Sequence, residues 1–385
     1  MKDIRGITCS TSLQLSQQRA EIGGCAARCA ELDSMKNVEA YANALSDAGH
    51  LVFPMEGDTS LPSKLRRLKI DICFNTCEGY IGDSREAQVP ALLEMIGMPY
   101  TAARVMGLAI TLDKAMTKRV LLHHGLPTPP FQEFFHADDP LDPNLRFPLF
   151  AKPNREGTGK GIADKSIITD EKQLRERVGY LIQSYRQSVL VEDYVEGRDL
   201  TCGLVGNLAS HALASPINEH ELHSKDGVTV EYGGIHFFPI SEVDHSVYPP
   251  GTEPVYSHKL KIDLADSFHC FCPAPLDESL AARVRRLTLE TFRLTHSFDV
   301  CRVDFRLARD GTPYILEINS LPGLTPISDL TICAEAEGWT HSQLIVAVLN
   351  AAIKRHGLEV TTKRKTNGKR SNIQRPTSIG ATNVS

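Results

Sequence analysis

Four polar residues near the C-terminal end have the types and spacing of a site for metal-bound phosphate. In CRVDF, Arg302 and Asp304 are two residues apart. In ILEIN, Glu317 and Asn319 have the same spacing. Residues two apart on a strand share a face, and ARDG between the segments is typical of a hairpin turn, so we expect the four side chains to converge.

Carboxylate and amide oxygens are ligands that Mg²⁺ prefers, usually together with substrate phosphates. An exposed hairpin held by salt bridges is the alternative interpretation. Asp304 stands between a valine and a phenylalanine, and Glu317 between a leucine and an isoleucine. Because Mg²⁺ neutralises such carboxylates more effectively than one arginine does, the pattern favours a metal site.

A second candidate is the glycine-rich stretch AKPNREGTGKGI, residues 151–162. A Walker loop needs a first glycine where Asn154 stands and a Ser or Thr where Gly161 follows Lys160. The stretch is therefore not a P-loop, which argues against a P-loop kinase. A glycine-rich turn between antiparallel strands can still direct backbone N–H groups at a phosphate. A plain surface hairpin is the alternative, but Lys152 on the preceding strand favours phosphate binding.

Hydrophobic periodicity predicts the elements that position these residues. In the N-terminal third, a helix capped by Ser34 precedes strands at 50–54 and 70–75, a helix over 85–96 and a strand at 98–100. This alternation is typical of a parallel α/β sheet. Further along, the patterns predict helices over 113–125, 171–183, 277–295 and 342–356, with Asp170 and Asp277 as the caps of the second and third of these. They also predict strands over 147–153, 188–193, 299–307 and 312–319.

Composition indicates an ordinary globular protein. Apolar residues make up 42% and charged residues 23%, and the net charge of −5 gives no general attraction to nucleic acid. We find no signal peptide and no apolar run that could span a membrane, so we expect a cytoplasmic protein without a membrane partner. His269, Cys270 and Cys272 alternate along a predicted strand, so at most two share a face and reduced thiols are favoured over a metal site.

The last residues form a basic tail. Beyond Glu359 the chain has six basic residues and no acidic one, with many Ser, Thr and Asn. We predict that 359–385 is a disordered, solvated tail, with nucleic-acid binding or nuclear import by KRKTNGKR as the alternative.

These motifs together resemble the ATP-grasp superfamily, and within it the D-alanine–D-alanine ligase group, from about residue 31 to 357. The matching segments are FNTCEGYIGDSREAQVPALLEMIGMPYTA, LDKAMTKRVLLHHGLPTPP, AKPNREGTGKGI, VLVEDYVEGRDLT, FCPAPL and CRVDFRLARDGTPYILEINSLPGLTPIS. The resemblance implies an α/β (α+β ATP-grasp) fold with the nucleotide between the central and C-terminal domains. The implied domains are an N-terminal α/β domain (1–103), a central ATP-grasp subdomain (104–200) and a C-terminal subdomain (201–358).

The resemblance also implies a set of nucleotide contacts. Lys114 and Lys152 would hold the phosphates, and Asp199 the ribose. Asp304, Glu317 and Asn319 would bind two Mg²⁺ ions, with Mn²⁺ as an alternative. The loop that would close over the β- and γ-phosphates consists of Glu156, Gly157, Thr158, Gly159, Lys160 and Gly161. The segment that would read adenine contains Glu192, Tyr194 and Val195.

The implied reaction has two steps. A substrate carboxylate attacks the γ-phosphorus of ATP, and an amine then attacks the acyl phosphate. Arg302 and the backbone N–H of Gly323 would stabilise the oxyanion. Ser328 would contact the carboxylate of the second amino acid, with capping of the next helix as the alternative. Glu31 is the candidate for holding the amine of the first substrate.

Departures from the family pattern fall where the amino acids would bind. The family's mobile loop usually ends in Lys-Tyr, but Lys261 is followed by isoleucine here. The closing loop has Gly159 and Lys160 where the family has EGSS-V-G. In DSREAQ, Arg85 and Glu86 resemble a segment near the first-substrate pocket, with a helix-start salt bridge as the alternative.

The sequence thus predicts an ADP-forming carboxylate–amine ligase acting on amino acid or other carboxylate substrates. The pair is either D-alanine with itself or a different pair in specialised metabolism. The alternative function is an ATP-binding module without ligase turnover. The group is often dimeric, so a homodimer is implied by the resemblance alone.

Overall fold

The computed structural model describes residues 34–157, 159–162, 166–210, 215–224, 228–247 and 270–359, and the backbone of 6–10. The helices in these ranges are α1 (Met35–Asp47), α2 (Leu61–Leu68), α3 (Gln88–Met95), α4 (Val105–Leu112), α5 (Lys114–His123), α6 (Glu171–Tyr185), α7 (Glu278–Leu294), α8 (Asp329–Ala336) and α9 (His341–Arg355). The strands are β1 (Gly6–Ser10), β2 (Met55–Glu56), β3 (Ile72–Asn75), β4 (Phe131–Phe134), β5 (Leu149–Pro153), β6 (Ile167–Ile168), β7 (Val189–Asp193), β8 (Gly197–Gly206), β9 (Val230–Tyr232), β10 (Ile235–Phe237), β11 (Ser241–Val243), β12 (Cys270–Phe271), β13 (Val300–Ala308) and β14 (Pro313–Asn319).

The N-terminal sheet is parallel, as predicted, with the order β2-β1-β3. Its central strand β1 was not predicted. The prediction of a strand at 50–54 was wrong. The strand in this region is β2, which begins at Met55 and pairs with Cys9 and Ser10 of β1. The predicted cap of α1 is confirmed, since the Ser34 hydroxyl accepts the N–H of Asn37 at 3.2 Å.

The second sheet is antiparallel, with the order β4-β7-β5-β6. One face carries the apolar side chains that α6 covers. The predicted Asp170 cap of α6 is confirmed by a 2.9 Å bond from the N–H of Gln173. Because side chains alternate along a strand, the opposite face of β5 and β7 is free to carry polar groups.

The third sheet is built around the long strand β8. On one side β8 pairs antiparallel with β13, which pairs with β14. On the other side β8 pairs with β11 and β10. Helix α7, capped by Asp277 as predicted, packs on the apolar face of this sheet. The opposite face of β8, β13 and β14 is turned to the second sheet across a cleft.

The C-terminal helices share a core with the N-terminal region. Tyr41 and Leu45 of α1 and Phe74 of β3 are buried in one apolar cluster with Leu344 and Val348 of α9. The mixed α/β fold class is confirmed, and the exact domain boundaries stay predictions. Within the described part of the chain, no helix has the length and apolar character needed to cross a membrane.

Candidate active site

A cleft between the second and third sheets is lined by nine of the twenty predicted site residues. Lys152 and Glu192 line one wall. Arg302, Asp304 and Glu317 line the other. The position follows from strand alternation, because both sheets turn their polar faces toward this space. The cleft is therefore the candidate nucleotide site.

The β13–β14 hairpin brings its four polar residues together. Arg302 is opposite Asn319, and Asp304 is opposite Glu317. The Nδ2 of Asn319 donates to Asp304 Oδ2 at 3.1 Å. The register shifts after Asp304, which leaves Leu316 as an extra residue in β14. Through this bulge, two consecutive residues, Leu316 and Glu317, both line the cleft.

Asp304 is the most constrained carboxylate of the hairpin. Its Oδ1 accepts the hydroxyl of Thr201 at 2.8 Å, and its Oδ2 lies 2.9 Å from Arg302 Nη2. Burial raises the pKa of Asp304 above its usual value, Arg302 opposes that shift, and Glu317 adds to it. A divalent cation would offset the free-energy cost of ionising two neighbouring, buried carboxylates, because it favours the charged form of both.

The donor set fits Mg²⁺. Two carboxylates and one amide are hard oxygen donors, and phosphate and water usually complete such a site. Among the described residues, no group of three or more His, Cys, Asp and Glu side chains is arranged to hold a metal. The magnesium prediction thus depends on Asp304, Glu317 and the Asn319 amide together with phosphate.

On the opposite wall, Glu192 is held between two lysines. Its Oε1 lies 2.8 Å from Lys152 Nζ and its Oε2 lies 2.7 Å from Lys118 Nζ. Burial works against ionisation of Glu192, but Lys118 and Lys152 hold its pKa below the usual value. Burial alone would lower the pKa of Lys152, whereas Glu192 and Glu317 raise it. Lys152 therefore stays cationic beside the cleft, as phosphate binding requires.

Lys118 was missed by the sequence analysis. It is fully buried, and its Nζ also donates to Thr128 Oγ1 at 2.6 Å. Burial lowers its pKa from 10.5 to about 8. The available signal was spacing, because Lys114 and Lys118 are one helical turn apart on α5. Both lysines point to the cleft side, where Lys118 is the counter-ion that fixes Glu192.

The glycine-rich loop is tied to both walls. Lys114 donates to the carbonyl of Glu156, and its Nζ lies 3.4 Å from Glu317 Oε2. Lys160 is buried, with its Nζ 3.6 Å from Glu156 Oε2, and Gly159 lines the cleft. Lys160 thus contacts the loop carboxylate, and its predicted role near phosphate stays a prediction.

Gly161 occupies a backbone conformation that requires glycine. Its φ is 74°, and an added Cβ would lie 2.5 Å from the Pro153 ring. The loop therefore folds back closely on the end of β5. This contact positions Gly159 and Ile162 at the cleft.

A segment of the N-terminal region contacts the same loop. Arg85 donates to the carbonyl of Arg155 and lies 4.0 Å from Glu156 Oε2. Arg155 Nη1 lies 3.1 Å from Asp83 Oδ1, and Arg155 Nε lies 2.8 Å from Asp113 Oδ2. Arg85 also begins a short 3₁₀ turn ahead of α3. Its side chain thus links the first sheet's loops to the glycine-rich loop.

Asp199, the predicted ribose contact, is held in place by the side chains of Arg306 and His245. Its Oδ2 lies 2.6 Å from Arg306 Nη1 and 2.7 Å from His245 Nε2. Arg306 also donates to the Val195 carbonyl at 2.9 Å and to the Tyr194 hydroxyl at 3.1 Å. The sequence analysis missed Arg306, although alternation places it on the same strand face as Arg302 and Asp304.

Arg302 makes a second ion pair that the sequence did not reveal. Its Nη1 lies 2.6 Å from Asp329 Oδ2, at the start of α8. Burial opposes its charge, but Asp304 and Asp329 together raise the pKa of Arg302 above its ordinary value. The guanidinium therefore stays charged and is held in one orientation inside the cleft.

Ser328 and Gly323 lie in the loop before α8. The Ser328 hydroxyl accepts the N–H of Thr325 at 3.0 Å. Ser328 occupies the N-cap position, but its side chain makes no capping bond to the helix. Gly323 is exposed, and an added Cβ would lie 3.1 Å from Ser328 Oγ. Their predicted contacts with the substrate stay predictions.

Several predicted residues cannot be placed. Glu31, Thr158 and Lys261 lie outside the described residues, as does the tail beyond residue 359. The thiols of Cys270 and Cys272 are described and are free, while His269 is outside the described ranges. The exposed rings of His123 and His124 meet edge to face at the end of α5.

A cleft between two antiparallel sheets, with lysines on one wall and carboxylates on the other, is the arrangement of the ATP-grasp class. Comparison with known families gives a match to the D-ala D-ala ligase C-terminus over residues 120–225 and 239–350. The matched residues make up more than half of the chain.

Individual relatives and one solved structure agree with this match. The chain is 31% identical to the D-alanine–D-alanine ligase of Bordetella petrii, over 86% of this chain and 91% of that protein. It is 32% identical to an uncharacterised protein of Sinorhizobium fredii, over 81% of this chain and 86% of that protein. The structure of the Bacillus anthracis D-alanine–D-alanine ligase complexed with ATP superposes with a TM-score of 0.62 at 21% identity, covering 92% of this chain and 99% of that one. The chain therefore belongs to the D-alanine–D-alanine ligase family, a family of ligases that form C–N bonds.

Proposed function

We propose that this protein is an ATP-dependent, ADP-forming ligase that joins a carboxylate to an amine through an acyl phosphate. The observation that carries the proposal is one cleft in which Lys152 faces Asp304 and Glu317, with the charged Arg302 beside them. The bound ATP in the Bacillus anthracis relative supports a nucleotide in this cleft.

The first step is transfer of the γ-phosphoryl group to a substrate carboxylate. The carboxylate oxygen attacks the γ-phosphorus, the bond to ADP breaks, and an acyl phosphate forms. Lys152 and Lys114 bind phosphate oxygens, and the glycine-rich loop excludes water from them. Asp304, Glu317 and Asn319 would hold Mg²⁺, which neutralises phosphate charge when bound.

The second step is attack of an amine nitrogen on the carbonyl carbon of the acyl phosphate. The carbonyl oxygen becomes an oxyanion, and phosphate then leaves with the proton that the nitrogen gives up as the amide bond forms. Arg302 is positioned to stabilise that oxyanion, because Asp304 and Asp329 fix both of its terminal nitrogens. A donor fixed before the reaction needs no reorganisation during it.

Two substrate assignments follow from this chemistry. One is D-alanine in both steps, as the names of the relatives state for those proteins. The other is a different amino acid pair in specialised metabolism, which the isoleucine after Lys261 favours. Cytoplasmic location and a homodimer stay predictions.

The test is phosphate release from ATP and Mg²⁺ with D- and L-amino acids, singly and in pairs. We expect release with at least one pair and a loss on the order of 100-fold in the Arg302→Ala variant. ATP binding without release for any carboxylate–amine pair would contradict the proposal. That result would favour a nucleotide-binding module without turnover.

A further inference from the structure

The cleft presents a carboxylate beside Arg302, the proposed oxyanion donor. The Asp329 side chain lines the cleft, about 15% exposed, beside Arg302. The neighbouring Ser328 hydroxyl is held within its own loop by Thr325. Among the described residues, the group that lines the cleft next to Arg302 is therefore a carboxylate.

The other acidic groups lining the cleft have different assignments. They are Glu192, Asp193, Asp199, Asp304 and Glu317. The first three lie on β7 and β8 at the nucleotide end, and two of them are paired with lysines or with Arg306 and His245. The last two belong to the proposed magnesium site. Asp329 is thus the carboxylate next to the oxyanion donor.

We propose that Asp329 binds the amino group of the acceptor substrate and that the acceptor is recognised as a cationic primary amine. This inference rests on the proposed ligase function. A carboxylate has room for about four hydrogen bonds, so one that accepts from Arg302 can also accept from an ammonium group.

The geometry suits the second step. In the tetrahedral intermediate, the oxyanion and the incoming nitrogen are bonded to the same carbon. Arg302 Nη1 and Asp329 Oδ2 are 2.6 Å apart and have opposite charge. In this arrangement Arg302 donates to the oxyanion and Asp329 accepts from the nitrogen, which attacks as the neutral amine after the ammonium group has released one proton to water.

A consequence concerns the class of acceptor. A carboxylate at this wall attracts an ammonium group and repels an anionic substituent placed beside it. The α-carboxylate that every amino acid acceptor carries must therefore lie away from Asp329, and a further acidic group near the amine is disfavoured. A small neutral nucleophile needs no such contact, which provides a way to separate amine binding from acyl phosphate formation.

The experiment uses the full chain and two acceptors. The first is the amine found in the substrate panel, and the second is hydroxylamine, which is uncharged at neutral pH and traps acyl phosphates as hydroxamates. Asp329→Asn removes the negative charge and Asp329→Glu keeps it. Glu335→Gln, an exposed position on the same helix, is the matched control.

We expect Asp329→Asn to raise the KM of the amine about tenfold or more, and to lower hydroxamate formation by a clearly smaller factor, because both acceptors need the Arg302 side chain that Asp329 helps to orient. Asp329→Glu should recover part of the amine affinity, and Glu335→Gln should behave as wild type. An unchanged amine KM in Asp329→Asn would overturn the inference, and so would an equal loss with both acceptors, which would mean that Asp329 acts only by orienting Arg302. A wild-type protein that forms no hydroxamate and no ADP with any carboxylate would overturn the ligase proposal itself.

Discussion

The Nζ of Lys118 lies 2.7 Å from Oε2 of Glu192, and both side chains are buried, Glu192 in the wall of the cleft and Lys118 behind it. Lys152 approaches the other oxygen of the same carboxylate. One carboxylate therefore balances two lysines, and only Lys152 lines the cleft. Lys118 does not line the cleft, but it holds the Glu192 carboxylate in place, and that carboxylate in turn holds Lys152.

This arrangement predicts a specific pH dependence of stability. The pKa of Lys118 is about 8 in the folded protein against 10.5 in the unfolded chain. Between these values the unfolded chain binds more protons, so the contribution of Lys118 to the free energy of unfolding rises with pH. We expect urea unfolding to show this rise between about pH 8 and about pH 10, and Lys118→Met to remove it. A variant with the same pH slope as wild type would contradict the assignment.

The magnesium site predicts a sharp difference between two aspartates of one hairpin. Asp304→Asn should lower ATP turnover on the order of 100-fold and raise the Mg²⁺ concentration required, because a charged ligand is lost. Asp310→Asn, in the exposed turn of the same hairpin, should leave both quantities unchanged. The measurement is ADP release as a function of Mg²⁺. Equal behaviour of the two variants would argue against metal binding at β13.

Arg306 predicts an effect on nucleotide affinity. It bonds Asp199, the Val195 carbonyl and the Tyr194 hydroxyl, so it joins the segment expected to read adenine to the residue expected to read ribose. Arg306→Lys cannot keep all three bonds, and we expect the KM for ATP to rise about tenfold. His245→Gln removes one bond to Asp199 and should cost less.

A comparison of ATP with dATP tests the ribose part of this prediction. If Asp199 binds the ribose hydroxyls, the preference for ATP should shrink in Arg306→Lys. A preference that stays at the wild-type value would place the ribose away from Asp199.

Gly161 predicts a loop that tolerates no side chain. With φ of 74° and Pro153 at 2.5 Å from an added Cβ, Gly161→Ala should lower the free energy of unfolding by about 1–3 kcal/mol and raise the KM for ATP. Gly179→Ala in α6 is the matched control, because its Cβ would meet Ala137 at an ordinary 3.5 Å. Thermal unfolding and ATP kinetics of both variants make the comparison. A neutral Gly161→Ala would show that the loop is not packed against β5.

The parts of the site that the sequence predicted are those set by local periodicity. Alternation in CRVDF and ILEIN was sufficient to place Arg302, Asp304, Glu317 and Asn319 on one face, and the observed register agrees. The same rule extends to Arg306, which was given no role although it stands in the same matching segment. Caps such as Asp170 were predictable because the signal lies within four residues.

The residues that escaped prediction are set by contacts between distant elements. Asp329 reaches Arg302 across 27 positions, and Thr201 reaches Asp304 across 103. No periodicity within either segment specifies these side-chain contacts, because they depend on how α8 and β8 pack against β13. The central strand β1 was missed for a similar reason, since its only described partners are β2 and β3.

The shared core of α1, β3 and α9 has a consequence for how the chain is made. Apolar side chains of residues 41–74 are buried against residues 344–353, which are synthesised much later. The N-terminal region therefore cannot complete its interior while the chain is still attached to the ribosome at residue 340. Nascent protein must keep that surface from aggregating until α9 emerges, and a message truncated before α9 would yield a product whose N-terminal apolar cluster stays exposed.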